Sequence, residues 1–123
     1  MNLPNLNVFY VEDIPRSTTL YRSILDMEPV EASPGFVLFI LPSGLKIGLW
    51  HRPAASPAGQ GSGGSELGFT VEDRAAVLKV HQQWQALGLR IVQPPSEVDF
   101  GYTVCAFDPD GHCLRAYCVE DDA

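Results

Sequence analysis

One order of landmarks occurs twice in this chain, and that repeat limits the folds open to it. Val11-Glu12-Asp13 ends an apolar run, and so does Val71-Glu72-Asp73. Each Asp is placed to cap a following helix, because its carboxylate can accept from a free amide of the first turn. Leu20 and Ile24 lie seven and eleven residues past Asp13; Val80 and Trp84 lie seven and eleven past Asp73. A spacing of four keeps each pair on one helix face. Gly88 is placed to stop the second helix. Downstream, Pro42-Ser43-Gly44 matches Pro109-Asp110-Gly111, each a turn between two strand-like runs. The runs are 36–41 and 45–50 around the first turn, and 102–107 and 112–117 around the second.

Residues 53–65 read PAASPAGQGSGGS, without an apolar period. This composition predicts a linker. The expected fold is α+β, a single domain over 1–123 with module one at 1–52, a linker at 53–65 and module two at 66–123. Each module reads strand, helix, strand, strand, strand (βαβββ). Neither half has a core large enough to stand alone. The helices are therefore expected on the outer faces of two curved mixed sheets, whose other faces surround a ligand cavity.

The formal net charge of -7 argues against a nucleic-acid partner or an anionic membrane surface. No apolar run approaches the roughly 18 to 20 residues that span a bilayer. The N-terminus, Met1-Asn2-Leu3-Pro4-Asn5, has no basic region followed by an apolar stretch, so no signal peptide is expected. Cys105, Cys113 and Cys118 form no Cys-x-x-Cys pair. They are read as reduced thiols of a cytoplasmic protein, serving as small core hydrophobes.

The opening strand, Asp13, Tyr21-Arg22 and the turn Asp108-Pro109-Asp110-Gly111-His112 together resemble the vicinal-oxygen-chelate superfamily of glyoxalases, bleomycin-resistance proteins and extradiol dioxygenases. The pieces Asn5-Leu6-Asn7-Val8, Lys46-Ile47-Gly48-Leu49-Trp50, Ser65-Glu66-Leu67-Gly68 and Asp99-Phe100-Gly101-Tyr102-Thr103 are similar to a subfamily that includes phenazine-antibiotic resistance. The resemblance implies a homodimer that binds a small aromatic molecule and acts by sequestering it.

In metalloenzymes of that superfamily a His lies seven residues before each capping Asp and a Glu four after each turn Gly. Here those positions hold Leu6, Gly48, Glu66 and Arg115. Only Glu66 is a donor, and a catalytic metal needs about three protein ligands. No metal and no cofactor are therefore expected. A shift of one residue would bring Asn7 into place of Leu6 but would turn those side chains to the other face. Nothing in the sequence brings His51, His81 and His112 together. Glu120, Asp121 and Asp122 read as a solvated tail. Residues 61–64, GSGG, lack the Lys-Ser/Thr that completes a phosphate loop.

Strand alternation supplies a candidate lining. The cavity side takes Leu6, Val8 and Tyr10; Lys46, Gly48 and Trp50; Glu66, Gly68 and Thr70; and Cys113, Arg115 and Tyr117. Phe9, Ile47, Leu49, Phe69, Leu114 and Ala116 then face the helices, and Trp84 joins that core. Trp50 and Tyr117 each lie six residues after their turn glycine, and two such aromatics could clasp a planar ring. Alternatively, Trp50 plugs the cavity or packs in a dimer interface. Gly48 and Gly68 would let a flat ligand lie close to the strands, or would mark sheet curvature. Arg115 would pair with Glu66, with a ligand carboxylate, or with both. Tyr10, Tyr102 or Glu66 would supply a proton if the chain were a metal-free enzyme. A metal-dependent enzyme using Glu66 as one ligand is the main alternative to a binding protein. The loop 94–101, PPSEVDFG, is either a lid tipped by Phe100 or a plain connection.

Overall fold

A computed structural model describes residues 4–55 and 66–120. The chain divides into two compact units, Met1–Ser62 and Gly63–Ala123. The first contains β1 (Leu6–Val11), α1 (Ile14–Leu25), β2 (Glu31–Ala32), β3 (Phe36–Ile40) and β4 (Lys46–His51). The second contains β5 (Glu66–Thr70), α2 (Arg74–Ala86), β6 (Arg90–Val98), β7 (Gly101–Phe107) and β8 (Cys113–Val119). The expected βαβββ order is present in both. Each unit holds a four-stranded sheet, β1-β4-β3-β2 in one and β5-β8-β7-β6 in the other. The β1–β4 and β5–β8 ladders are parallel and the rest antiparallel, so both sheets are mixed.

The repeat extends to single hydrogen bonds. Asp13 Oδ1 accepts from Arg16 N at 2.9 Å, and Asp73 Oδ1 accepts from Ala76 N at 2.9 Å. Each carboxylate thereby satisfies an amide that the helix itself leaves open. At the later turns, Gly44 N donates to Leu41 O and Gly111 N to Asp108 O, at 2.8 and 3.0 Å. Both glycines have positive φ, +94° and +85°, a conformation that favours glycine. Asp108 adds two bonds of its own, its Oδ1 accepting from the amides of Asp110 and His112. This explains why an Asp opens the second turn.

Each helix covers one face of its sheet. Tyr21 is fully buried, its ring 5.7 Å from Phe9, and Trp84 meets Phe69 edge-on at 6.0 Å. The fully buried face of α1 is Ile14, Ser17 and Tyr21, with Leu20 and Ile24 half-buried beside it. On α2, Val77 and Trp84 are buried while Val80 is half-buried. Phe9, Ile47, Leu49, Leu114 and Ala116 pack beneath the helices as the alternation predicts, and Phe69 is half-buried there.

Three expectations are corrected. The segment 94–101 is mostly strand: β6 runs through Pro94 and Pro95 to Val98, and only Asp99 and Phe100 join it to β7. β6 lies at the sheet edge, and its pairing with β7 shifts between Ile91 and Gln93 and again between Gln93 and Ser96. An edge strand with such irregularities accommodates prolines, which cannot donate to a ladder. Glu120 is exposed as expected, but it is held in place: both its oxygens accept from Arg74 at 2.7 Å. Asp121 and Asp122 lie outside the described residues. Cys105 and Cys118 are buried, but Cys113 is half-buried on the face away from α2. Of the expected linker, Pro53 and Ala54 belong to a short 3-10 turn, Arg52–Ala54, and 56–65 lie outside the described residues.

Candidate functional site

The face of the second sheet that α2 leaves open is laid out in rows by strand register. Glu66 pairs with Cys113, which pairs with Phe107. Gly68 pairs with Arg115, which pairs with Cys105 and through it with Gln93. Thr70 pairs with Tyr117, which pairs with Thr103. Four expected site residues, Glu66, Gly68, Arg115 and Tyr117, line one pocket of about 390 Å³ together with Phe100 and Val119.

Arg115 is fixed from three sides. Its Nε donates to Glu66 Oε1 at 2.7 Å, and its Nη1 donates to Thr103 Oγ1 at 3.0 Å and Gln93 Oε1 at 3.4 Å. The bond to Glu66 raises the guanidinium pKa further above its ordinary value, outweighing partial burial. Arg115 is thus a permanent cation in a set orientation. The pairing expected with Glu66 is present.

Tyr117 is fixed as well. Its hydroxyl accepts from Thr70 Oγ1 at 2.9 Å, and its ring meets Phe100 edge-on at 5.7 Å. Gly68 lies beside it. A Cβ added there would sit 3.5 Å from Tyr117 Cε1, an ordinary contact, so the strand surface is bare without being crowded.

Beside Arg115 lies a group in which alternation places Glu66 and Cys113 on the cavity side, while Cys105 is read from the sequence only as core. Cys113 Sγ is 3.6 Å from Glu66 Oε2, and the donor atoms of Glu66, Cys105 and Cys113 all lie within 4.8 Å of one another. Burial pushes the Cys113 thiol up to about 12 and raises Cys105 as well. Both are therefore neutral thiols near neutral pH. Cys105, Thr103 and Gln93 were missed as site residues. Alternation along β7 from Thr103 would have found Cys105; Gln93 had no signal, because the register of β6 shifts on both sides of it and simple alternation does not set its face.

In the first unit, Tyr10, Trp50 and Phe36 stand in one row across β1, β4 and β3. Trp50 stacks on Tyr10 at 6.2 Å and meets Phe36 edge-on at 6.1 Å. Gly48 has no open space beside it: an added Cβ would lie 2.8 Å from Phe36 Cζ. The room expected for a flat ligand there is already taken by the Phe36 ring. Tyr102 is also corrected. It pairs with buried Cys118, so alternation turns it to the helix side, where Arg74 lies 4.5 Å over its ring. Thr103 takes the open face instead.

The positions that carry metal ligands in the resembling superfamily do not fit a metal here. Leu6 and Gly48 have no donor, and Arg115 presents a cation to the single carboxylate, Glu66. No histidine belongs to the Glu66–Cys105–Cys113 group.

Comparison with known proteins agrees with this architecture. The chain is 30% identical over 115 residues to the phenazine antibiotic resistance protein EhpR of Enterobacter agglomerans, covering 91% of this chain and 88% of that protein. The solution structure of protein ATC0852 from Agrobacterium tumefaciens is similar at a TM-score of 0.91 and 42% identity, over 98% of this chain and all of that one. A glyoxalase-related enzyme from Fulvimarina pelagi shares the fold at a TM-score of 0.85 and 17% identity, over 96% of this chain and 88% of that one. Residues 5–115 match the glyoxalase/bleomycin resistance protein/dioxygenase superfamily, and the chain belongs to it.

Proposed function

We propose that this protein binds a planar aromatic small molecule of the phenazine type and acts by sequestering it, and that this binding is independent of any metal. The observation that carries this reading is the pocket of the second unit, where the bare backbone of Gly68, the Tyr117 ring and the fixed guanidinium of Arg115 converge. A flat ring needs a surface free of side chains and an aromatic partner, and stacking adds of order 1 kcal/mol beyond burial. The contacts of Arg115 engage Nε and Nη1. We assign Nη2 to a ligand carboxylate, through a charge-assisted hydrogen bond from that one nitrogen. Similarity to a phenazine resistance protein supports this ligand class.

The reading includes a homodimer in the cytoplasm, with no nucleic-acid or membrane partner. The net charge of -7 and three free cysteines fit it. No helix among the described residues is long and apolar enough to cross a membrane. The alternative, a metal-dependent glyoxalase- or dioxygenase-type enzyme using Glu66, has less support because the other three expected ligand positions hold Leu6, Gly48 and Arg115, none of which supplies a donor.

Titration of the purified protein with a phenazine carboxylic acid tests the proposal, with and without prior chelation. Saturable binding unchanged by the chelator is expected. Binding that disappears on chelation would favour the enzyme reading, and no binding at all would overturn the ligand class.

A further inference from the structure

Three strands bring two thiols and one carboxylate together at the floor of the second unit. Glu66 on β5 and Cys113 on β8 are register partners, and Cys105 on β7 is the partner of Arg115, two residues further along β8. The thiols are therefore diagonal neighbours on one face, their sulfurs within 4.8 Å of each other. Glu66 faces two ways: Oε1 holds Arg115 Nε at 2.7 Å, while Oε2 lies 3.6 Å from Cys113 Sγ.

We propose that Glu66, Cys105 and Cys113 form a binding site for a thiophilic divalent cation of the Zn²⁺ type. The donor set argues for that class. Two sulfurs and one oxygen suit Zn²⁺, whereas Mg²⁺ and Ca²⁺ take oxygen ligands. With Zn–S bonds of roughly 2.3 Å, two sulfurs of a tetrahedral site stand about 3.8 Å apart. The donors here lie within 4.8 Å, so side-chain adjustments of about 1 Å close the site. Three protein donors leave a fourth position for water.

The charges also balance. Each coordinating thiol loses its proton to solvent, and no electrons move. Two thiolates and a carboxylate around a divalent ion leave one negative charge, which the adjacent Arg115 guanidinium offsets. Glu66 can bind the ion through Oε2 and keep Arg115 on Oε1. A thiol must give up its proton to coordinate, so affinity rises with pH. Of the superfamily's expected ligand positions only Glu66 takes part. The site does not depend on which organic ligand the pocket holds.

The test is titration of the reduced, full-length protein with Zn²⁺ against a chromophoric chelator, and with Cd²⁺, whose thiolate complexes absorb in the ultraviolet. One equivalent is expected, with release of about two protons per ion and no competition from Mg²⁺. Cys113→Ser and Cys105→Ala should each abolish the Cd²⁺ band, Glu66→Gln should weaken binding, and Cys118→Ala should retain it. Denaturant unfolding of each variant distinguishes a lost site from a lost fold, and half-buried Cys113 is the position where substitution disturbs packing least. No band in the native protein, or an undiminished band in the folded Cys105→Ala/Cys113→Ser double variant, would overturn the proposal.

Discussion

The ring of Phe36 fills the space that a side chain at position 48 would need: a Cβ on Gly48 would stand 2.8 Å from Phe36 Cζ and 3.4 Å from Val8 Cγ2. Phe36 cannot retreat freely, because its ring also meets Trp50 edge-on. Overpacking of this kind costs about 1–3 kcal/mol. Replacing Gly by Ala recovers about 0.4–1 kcal/mol by restricting the unfolded chain. Gly48→Ala should therefore lose about 1 kcal/mol net in urea unfolding. Gly68→Ala meets only an ordinary contact with Tyr117 and should be neutral or slightly stabilising. Equal effects at the two glycines would contradict this asymmetry.

Tyr117 should account for a measurable share of ligand affinity. Its ring is held by Thr70 at the hydroxyl and by Phe100 at the edge, so little freedom remains to be lost on binding. Tyr117→Ala should weaken binding of a phenazine carboxylic acid about tenfold, roughly 1.4 kcal/mol. Tyr117→Phe keeps the ring and should stay near the native affinity. Native affinity in Tyr117→Ala would remove stacking from the account. A matching loss in Trp50→Ala would add the aromatic row of the first unit to the binding surface.

Arg74 joins the start of α2 to two strand ends, Glu97 of β6 and Glu120 just after β8. The bond to Arg74 lowers the Glu120 pKa below the ordinary carboxylate value, despite an opposing contribution from burial. A lowered folded pKa contributes stability above the unfolded value, and that contribution is lost as pH falls through the folded one. Glu120→Gln should thus be less stable than the native protein at neutral pH. The difference should shrink as pH drops below the carboxylate range, and added salt should reduce it. A gap that persists in acid would mean that Glu120 acts through packing.

The sequence carried the repeat because its marks are local. A capping Asp, a four-residue helix spacing and a turn glycine each depend on neighbours a few residues away, and all appear where expected at Asp13, Asp73, Gly44 and Gly111. What it did not carry depends on pairing. β6 passes through Pro94 and Pro95, which read as a loop until the strand is placed at a sheet edge with shifted register. Tyr102, expected as a possible proton donor in the cavity, lies on the helix side because the phase of β7 comes from its pairing with β8, and no local signal sets it. Cys105 joins Cys113 and Glu66 only through that same register. On β5 and β8 the phase was anchored by residues whose spacing from the cap and the turn was legible. For that reason Glu66, Gly68, Arg115 and Tyr117 were found together, and they share one pocket.

The thiols of the second unit should shape the alkaline limb of stability. Burial pushes Cys113 from the ordinary 9.0 up to about 12, with the nearby Cys105 and Glu66 acting in the same direction. A folded pKa raised in this way favours the native state fully below the unfolded value, and the advantage is lost as pH rises through the folded one. The native protein should therefore lose stability between about pH 9 and 12, where the unfolded chain ionises this thiol and the folded chain resists. Cys113→Ser, which cannot ionise there, should show a flatter limb in urea unfolding across the same range. The same shift predicts slow reaction of Cys113 with disulfide reagents at neutral pH, although it is the least buried of the three cysteines. Rapid modification of Cys113 near neutral pH, or parallel alkaline limbs in the two proteins, would show that its thiol ionises as readily in the folded chain as in the unfolded one.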